Sequence, residues 1–580
     1  MKYRNASALL ILGLWFSTAS AHAQQPAPES ETLSATTELV LVPAQVKGRD
    51  GKPVLGLKQD DFVLRSDGKQ EPIRVFEETD KTNPNTAPRA ATPTPANMVL
   101  SVPNDGMPDQ ILILALDLVN TAFLDQTRAK RELLSYLSEQ LPNQHFALVA
   151  ITKDGLQQIH NFSSDPAVLV EALRLMQNST EKDVSEQPLL DSIASTSQFA
   201  NPSQPQAEYQ SMLNAFNEAQ IYSSYRQKIA AGATLMAFVQ IAQAYAGVPG
   251  RKSVIWITDG MPTLLYDAFA GGIKNGSALS IKGSALNGDS DLLYEYDQAF
   301  VALNNANIAV YGVDLKGIKS DRKYQGTGFD QATAIDDTRT KGLTDRRGLS
   351  GNSMMVSPSD YQDDAIKVVS AGTGGKSCTA NTGLKECIDE AVADSASYYM
   401  LGFYVPQQER KPGWHKLEVK LVNERGSVRS RTSYYLAPTT ALSEKDVNRA
   451  LRDAATAKID YTGITFGVQP QSSGEAAKTG VPPMRIIVPA GSVLLAPGQP
   501  QLSYDIVSVP LNSEGEPAAN LRVVHLNLNA EQTQTALSKG WAFTDQPQAS
   551  GSQVLKYVLR DNGSGRIGSV IVSLSQKTGG

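Results

Sequence analysis

Residues 111–121 read ILILALDLVNT: six apolar side chains, Ile111 to Leu116, run straight into the carboxylate of Asp117, and the polar Asn120 and Thr121 follow two residues later. An apolar run with no polar alternation predicts a strand buried on both faces, the kind found in a parallel sheet covered by helices. A second run, Val254-Ile255-Trp256-Ile257-Thr258-Asp259, also ends in an acid. Between and after these two come helical patterns (122–140, a helix from Asp165-Pro166, 207–246, 292–304) and further strand patterns at 146–152, 156–162, 308–314 and 398–404, the last read as closing the sheet. Alternating strands and helices predict a doubly wound α/β fold. Ligands of such sheets bind outside the carboxyl ends of the strands, where chain direction diverges. Asp117 and Asp259 both stand at such ends.

Around this α/β part, read as 109–405, the chain divides into modules. Residues 1–23 have a basic start, an apolar run and Ala21-His22-Ala23, the pattern of a cleavable export signal. A polar lead-in (24–35) follows, then an N-terminal β module (36–79) punctuated by Asp50-Gly51 and Asp67-Gly68, and a Pro- and Thr-rich linker (80–108). Residues 176–205 and 316–362 are polar insertions in the α/β part. Beyond it come a β hairpin (406–438), a linker helix (439–460) and a C-terminal β-sandwich (461–580). Forty-odd residues make a marginal core, so the hairpin is expected to complete the N-terminal module, with the α/β domain inserted between its halves.

With 53 Lys and Arg against 59 Asp and Glu the formal net charge is −6, which argues against nucleic acid as a partner. After the leader no apolar run reaches the roughly 20 residues needed to span a bilayer, so the expectation is an exported protein, periplasmic or extracellular, without a transmembrane segment. Cys378 and Cys387 are the two cysteines. In an exported chain their short separation is compatible with a disulfide bond, two free thiols being the alternative.

Two glycine-rich stretches resemble nucleotide motifs but sit in the wrong context. Ser370-Ala371-Gly372-Thr373-Gly374-Gly375-Lys376-Ser377 follows a helical pattern rather than a strand and lacks the first glycine of a phosphate-binding loop. The segment 563–568, GSGRIG, lies between two strand patterns and reads as a hairpin turn. His145, His160, His415 and His525 show no zinc spacing, and no nucleophile is paired with a base. No catalytic residue is assigned, and the expected protein is not an enzyme.

A hard divalent cation takes oxygen ligands, and Asp117, Thr121 and Asp259 could supply them. Without a metal, Asp117 would instead cap the helix after it, and Asp259 would cap or turn the chain at Gly260. The segments "LALDLVNT", "PGRKSVIWITDGMP", "ALNNANIAVYGVDLKG", "GTGGKS", "SYYMLGFYVP" and "GWHKLEVKL", with the lead-in "VPAQVKGRDGKPVLGLKQDDFVLRSDGKQEPIRVFEE", together resemble the von Willebrand factor type A domain proteins, most nearly the von Willebrand factor A-related family of acidobacteria, over residues 36 to 437. The resemblance implies a Rossmann-like α/β domain flanked by β-sandwich modules, a metal-ion-dependent adhesion site binding Mg²⁺ or another divalent cation, and a protein or cell-surface ligand. By the family pattern Asp117 is the first ligand position and Asp259 the last. Val119 stands where the first hydroxyl is expected, Thr121 at the second, Asn120 between them, and Thr234 is the available separate threonine. The implied function is protein binding or adhesion through the strand-end face. A metal-free structural or envelope-assembly component is the alternative, with an unrecognised hydrolase behind it.

Overall fold

The computed structural model describes residues 38–80, 98–101, 111–139, 145–153, 155–176, 228–248, 250–261, 290–315, 358–378, 383–406, 409–423, 426–436, 443–471, 482–495, 499–547 and 554–574. The leader 1–23, the lead-in 24–35, most of the linker, nearly all of the two insertions and the first half of the 207–246 helix lie outside them.

The chain is multidomain and mixed α/β. It opens with β1 (Glu38–Lys47), β2 (Phe62–Ser66), β3 (Lys69–Glu71) and β4 (Val75–Asp80), followed by the short β5 (Val99–Leu100). The α/β part then runs β6 (Ile111–Asp117), α1 (Phe123–Ser138), β7 (His145–Thr152), β8 (Gly155–Ser163), α2 (Pro166–Leu175), α3 (228–245), β9 (Lys252–Thr258), α4 (Ser290–Asn305), β10 (Ile308–Asp314), α5 (Pro358–Thr373), β11 (Ser377–Cys378) and α6 (Leu384–Ala396). Next come β12 (Ser397–Val405), β13 (Gly413–Leu421), β14 (Ser427–Ser430), β15 (Ser433–Leu436) and α7 (Glu444–Thr456). The C-terminal part holds β16 (Gly467–Pro470), β17 (Met484–Val488), β18 (Ser503–Leu511), β19 (Arg522–Asn527), α8 (Ala530–Lys539), β20 (Trp541–Asp545), β21 (Val554–Asp561) and β22 (Ile567–Ser573).

The central sheet has the order β11-β10-β9-β6-β7-β8. All its strands are parallel except β8, which returns antiparallel along β7. Both faces are covered, as an apolar run without alternation requires. Ile111, Ile113 and Ala115 pack with Leu235 and Phe238 of α3 and Phe300 of α4, while Leu112, Leu114 and Leu116 pack with Leu133 of α1, Leu169 of α2 and Ile388 of α6. Each such leucine or isoleucine contributes about 1.5–3 kcal/mol when fully buried. From β6 the chain moves to β7 on one side, and from β9 to β10 on the other. The crevice between the carboxyl ends of β6 and β9 is therefore the topological switch point.

The strand 398–404 does not close this sheet. As β12 it pairs with β1 and β4 in the sheet β14-β1-β12-β4, and the edge of the α/β sheet is instead the two-residue β11. Alternation explains the difference: Tyr399, Leu401 and Phe403 enter the sandwich core, whereas Tyr404 is 44% exposed. The opposing sheet is β15-β13-β2-β3, with Leu417 facing Ser66 and Leu421 facing Phe62. Strands 38–80 and 397–436 thus interleave in one sandwich around the α/β part. Residues 427–436 are not one hairpin arm, because β14 pairs with β1 while β15 pairs with β13.

The C-terminal sandwich stacks β20-β17-β16-β5 on β19-β18-β21-β22. Its edge strand β5 comes from the segment read as linker, where Val99 and Leu100 pair with Val468 and Gly467 and the Ser101 hydroxyl donates to the Ile464 carbonyl at 3.0 Å. Two apolar residues amid Pro and Thr are too few to show a period. The outer face of β18 and β21 (Val507, Val509, Val558) joins Leu451 and Ala454 of α7 in the same core as α3. At the end of α3 the Gly247 amide donates to the Thr462 hydroxyl at 2.9 Å, and a Cβ on Gly247 would lie 2.0 Å from the Thr462 carbonyl oxygen, so only glycine permits this approach.

The N-terminal sandwich is fixed to the α/β part by ion pairs on α6. Asp394, 2% exposed, accepts from Tyr311 Oη at 2.7 Å, pairs with Lys47 at 3.1 Å and is bonded to Arg429. One turn earlier Glu390 pairs with Lys47 at 2.9 Å and Lys376 at 2.6 Å. A disulfide joins Cys378 of β11 to Cys387 of α6, with Cα atoms 6.0 Å apart. Burial alone would raise the Glu390 pKa, but Lys376 and Lys47 outweigh it and hold the carboxyl at about 2. A depressed carboxyl stabilises the fold above its unfolded pKa of about 4.3 and loses that contribution as pH falls toward 2. The difference in urea midpoint between the protein and Glu390→Gln should accordingly be full at pH 6, shrink below about pH 4.5 and disappear only below about pH 2; a pH-independent difference would refute the assignment.

Candidate functional site

Asp117 is 1% exposed at the end of β6, and donors enclose its carboxylate. Oδ1 accepts from the backbone amides of Val119 (3.2 Å) and Asn120 (3.1 Å). Oδ2 accepts from Asn120 Nδ2 (3.1 Å), Thr234 Oγ1 (3.0 Å), Trp256 Nε1 (3.1 Å) and Thr258 Oγ1 (3.2 Å). Burial pushes the carboxyl above the usual range, while the hydrogen bonds from Asn120, Trp256 and Thr234 pull the other way. Asp117 does not cap α1. It closes the turn 117–120, which is further held by Gln126 Nε2, donating to the Leu118 carbonyl at 3.0 Å and the Thr121 carbonyl at 2.9 Å.

Asp259, 3% exposed, follows the end of β9. Its Oδ2 accepts from the Ala122 amide at 2.8 Å, so it caps α1 from another strand, where the Ala122 side chain offers no cap. The two acids thus hold opposite ends of the 118–122 loop.

Thr234, although inside α3, reaches the site: besides bonding Asp117, its hydroxyl accepts from Asn120 Nδ2 at 2.9 Å. The Val119 side chain packs partly buried against the core. Trp256, Thr258 and Gln126 were not singled out from sequence. Trp256 carried a usable signal, since a buried indole N–H needs an acceptor and β-pairing puts Trp256 beside Ala115, two residues before Asp117.

Two oxygens at this crevice have no hydrogen-bond partner among the described residues: Thr121 Oγ1, on a residue 8% exposed, and Asn120 Oδ1. Buried polar atoms are almost always paired. Asp259 reaches the next residue, Ala122, and hydroxyl, amide and carboxylate oxygens are the donor types that a hard cation accepts, with waters completing the shell. No group of three or more His, Cys, Asp or Glu side chains among the described residues could hold a metal, so a cation here depends on hydroxyl and amide oxygens. Asp117, its own oxygens already hydrogen-bonded, would act by shaping the loop.

The chain matches no protein-family model and no curated protein. Among solved structures it is similar to the TFIIH p34 N-terminal domain, at 12% identity over 36% of this chain and 82% of that one, with a TM-score of 0.14. It is also similar to the pilus adhesin SpaC from Lactobacillus rhamnosus GG, at 8% identity over 90% of this chain and 57% of that one, with a TM-score of 0.24. Likenesses this slight carry no conclusion about function. No helix among the described residues is long and apolar enough to cross a membrane.

Proposed function

We propose that this chain is an exported, non-enzymatic binding protein whose von Willebrand factor A-like domain presents a divalent cation, Mg²⁺ in the first instance, to a carboxylate on a protein or cell-surface partner. The carrying observation is the pair of buried, partnerless oxygens of Thr121 and Asn120 beside Asp259 at the switch point. In this reading Thr121, Asn120 and Asp259 hold the cation directly or through water, and Asp117 and Thr234 set the loop. The cation supplies the positive charge; the residues supply its position.

The placement of the β modules supports the reading. The N-terminal sandwich joins through α6 and β12, and the C-terminal sandwich docks at the end of α3 near Gly247. Both lie toward the amino ends of the parallel strands. Among the described residues neither sandwich packs on the carboxyl-end face of the sheet.

Calorimetric titration of the mature protein with Mg²⁺ and Mn²⁺ should show one site, weakened at least tenfold by Thr121→Ala and more by Asp259→Ala. The fully satisfied Asp117 favours a second reading, a metal-free structural component in which the carboxylate serves only to order the loop. Absence of any heat with either ion would select that reading and sink the first.

A further inference from the structure

We infer that the partner is recognised as a pair of neighbouring side chains, an acid at the crevice and an apolar group seated on Phe123 and Leu124. This inference rests on the cation-dependent reading above. Phe123 and Leu124 open α1 and are 41% and 76% exposed. Neither belongs to a core cluster, since α1 packs through Ala129, Leu133 and Leu137 instead. The first turn of a helix favours acids, small polar residues and proline, so two large apolar groups in solvent do nothing there for the helix.

Their position gives them a use. Thr121, with its buried partnerless hydroxyl, precedes Phe123 by two residues, with the extended N-cap Ala122 between them. The positive end of α1 suits an incoming carboxylate, and the first-turn acid, Asp125, is already engaged with Arg128 at 3.1 Å. The occupant that fits is therefore an exposed, extended segment of a second protein bearing Asp or Glu next to Leu, Ile or Phe.

The test uses two capped hexapeptides in Mg²⁺, one carrying Asp followed by Leu and the other Asp followed by Ser, titrated against the mature protein. Burying one leucine side chain on two apolar groups predicts roughly tenfold tighter binding of the first. The double variant Phe123→Ser, Leu124→Ser should lose that preference while still binding the Asp-Ser peptide; circular dichroism checks its fold. Thr121→Ala should lose both peptides. Equal binding of the two peptides by the unmodified protein, or a preference that survives the double variant, overturns the inference and leaves the cation-dependent reading standing. If neither peptide binds while Mg²⁺ still gives its calorimetric signal, the inference falls and the cation site stands; if Mg²⁺ gives none either, both fall.

Discussion

Asp117→Asn is expected to cost the α/β part about 1–3 kcal/mol, because a buried acceptor would be replaced by a group that also donates. The native carboxylate accepts on both oxygens and donates nothing. An amide must turn its NH2 either toward the backbone amides of Val119 and Asn120 or toward the Trp256 indole. Hydroxyls of Thr234 and Thr258 can rotate to accept, but neither the indole nor the backbone amides can. The natural placement leaves the NH2 against the amides, opening the 117–120 turn. Urea unfolding followed by circular dichroism checks this. A loss under about 1 kcal/mol would mean that packing, and not the carboxylate, holds the loop.

The second large effect is expected from Asp394→Ala. Removing this carboxylate strands Arg429 and Lys47 beside Glu390 alone and leaves the Tyr311 hydroxyl without its acceptor. Breaking a buried ion pair from one side costs about 3–5 kcal/mol. Here the loss falls on the junction between the N-terminal sandwich and the α/β part. One urea transition should accordingly separate into two, and Asp394→Asn, which keeps an oxygen for Tyr311 or Arg429, should lie between. A single unshifted transition for Asp394→Ala would show that strand pairing alone fixes the junction.

The strands ending in Asp117 and Asp259 were legible because each unbroken apolar run stands between helical patterns, and their pairing across β6 and β9 brings the two acids to one crevice. Less legible was whatever rested on few residues or on partners far away. The edge strand β11 has two residues, and β5 has two more inside a Pro-rich stretch. Strand β12 has the composition of a core strand because aromatic residues stand on both its faces, which hides the alternation of its exposed end; its partners β1 and β4 show which core it serves. Around the site, Thr234 looked like ordinary helix interior, and nothing local shows that α3 turns that hydroxyl toward Asp117. The glycines of 372–375 have a structural use: Gly374 ends α5 at φ +75°, and a Cβ on Gly375 would meet the Val310 carbonyl oxygen at 1.9 Å.

The interleaving of the N-terminal sandwich has a consequence for the order of events in biosynthesis. Val40 pairs with Phe403 and Val46 with Val428, so β1 emerges several hundred residues before either of its neighbours. At about 5–20 residues per second that strand waits tens of seconds with both edges open. During this interval the α/β part can be completed first, from local strand–helix units, and the sandwich can close only after it. An unpaired apolar strand is a site of misassociation for as long as it waits. Nascent chains arrested before residue 397 should therefore depend on holding chaperones, and chains extended past residue 436 should be released from them.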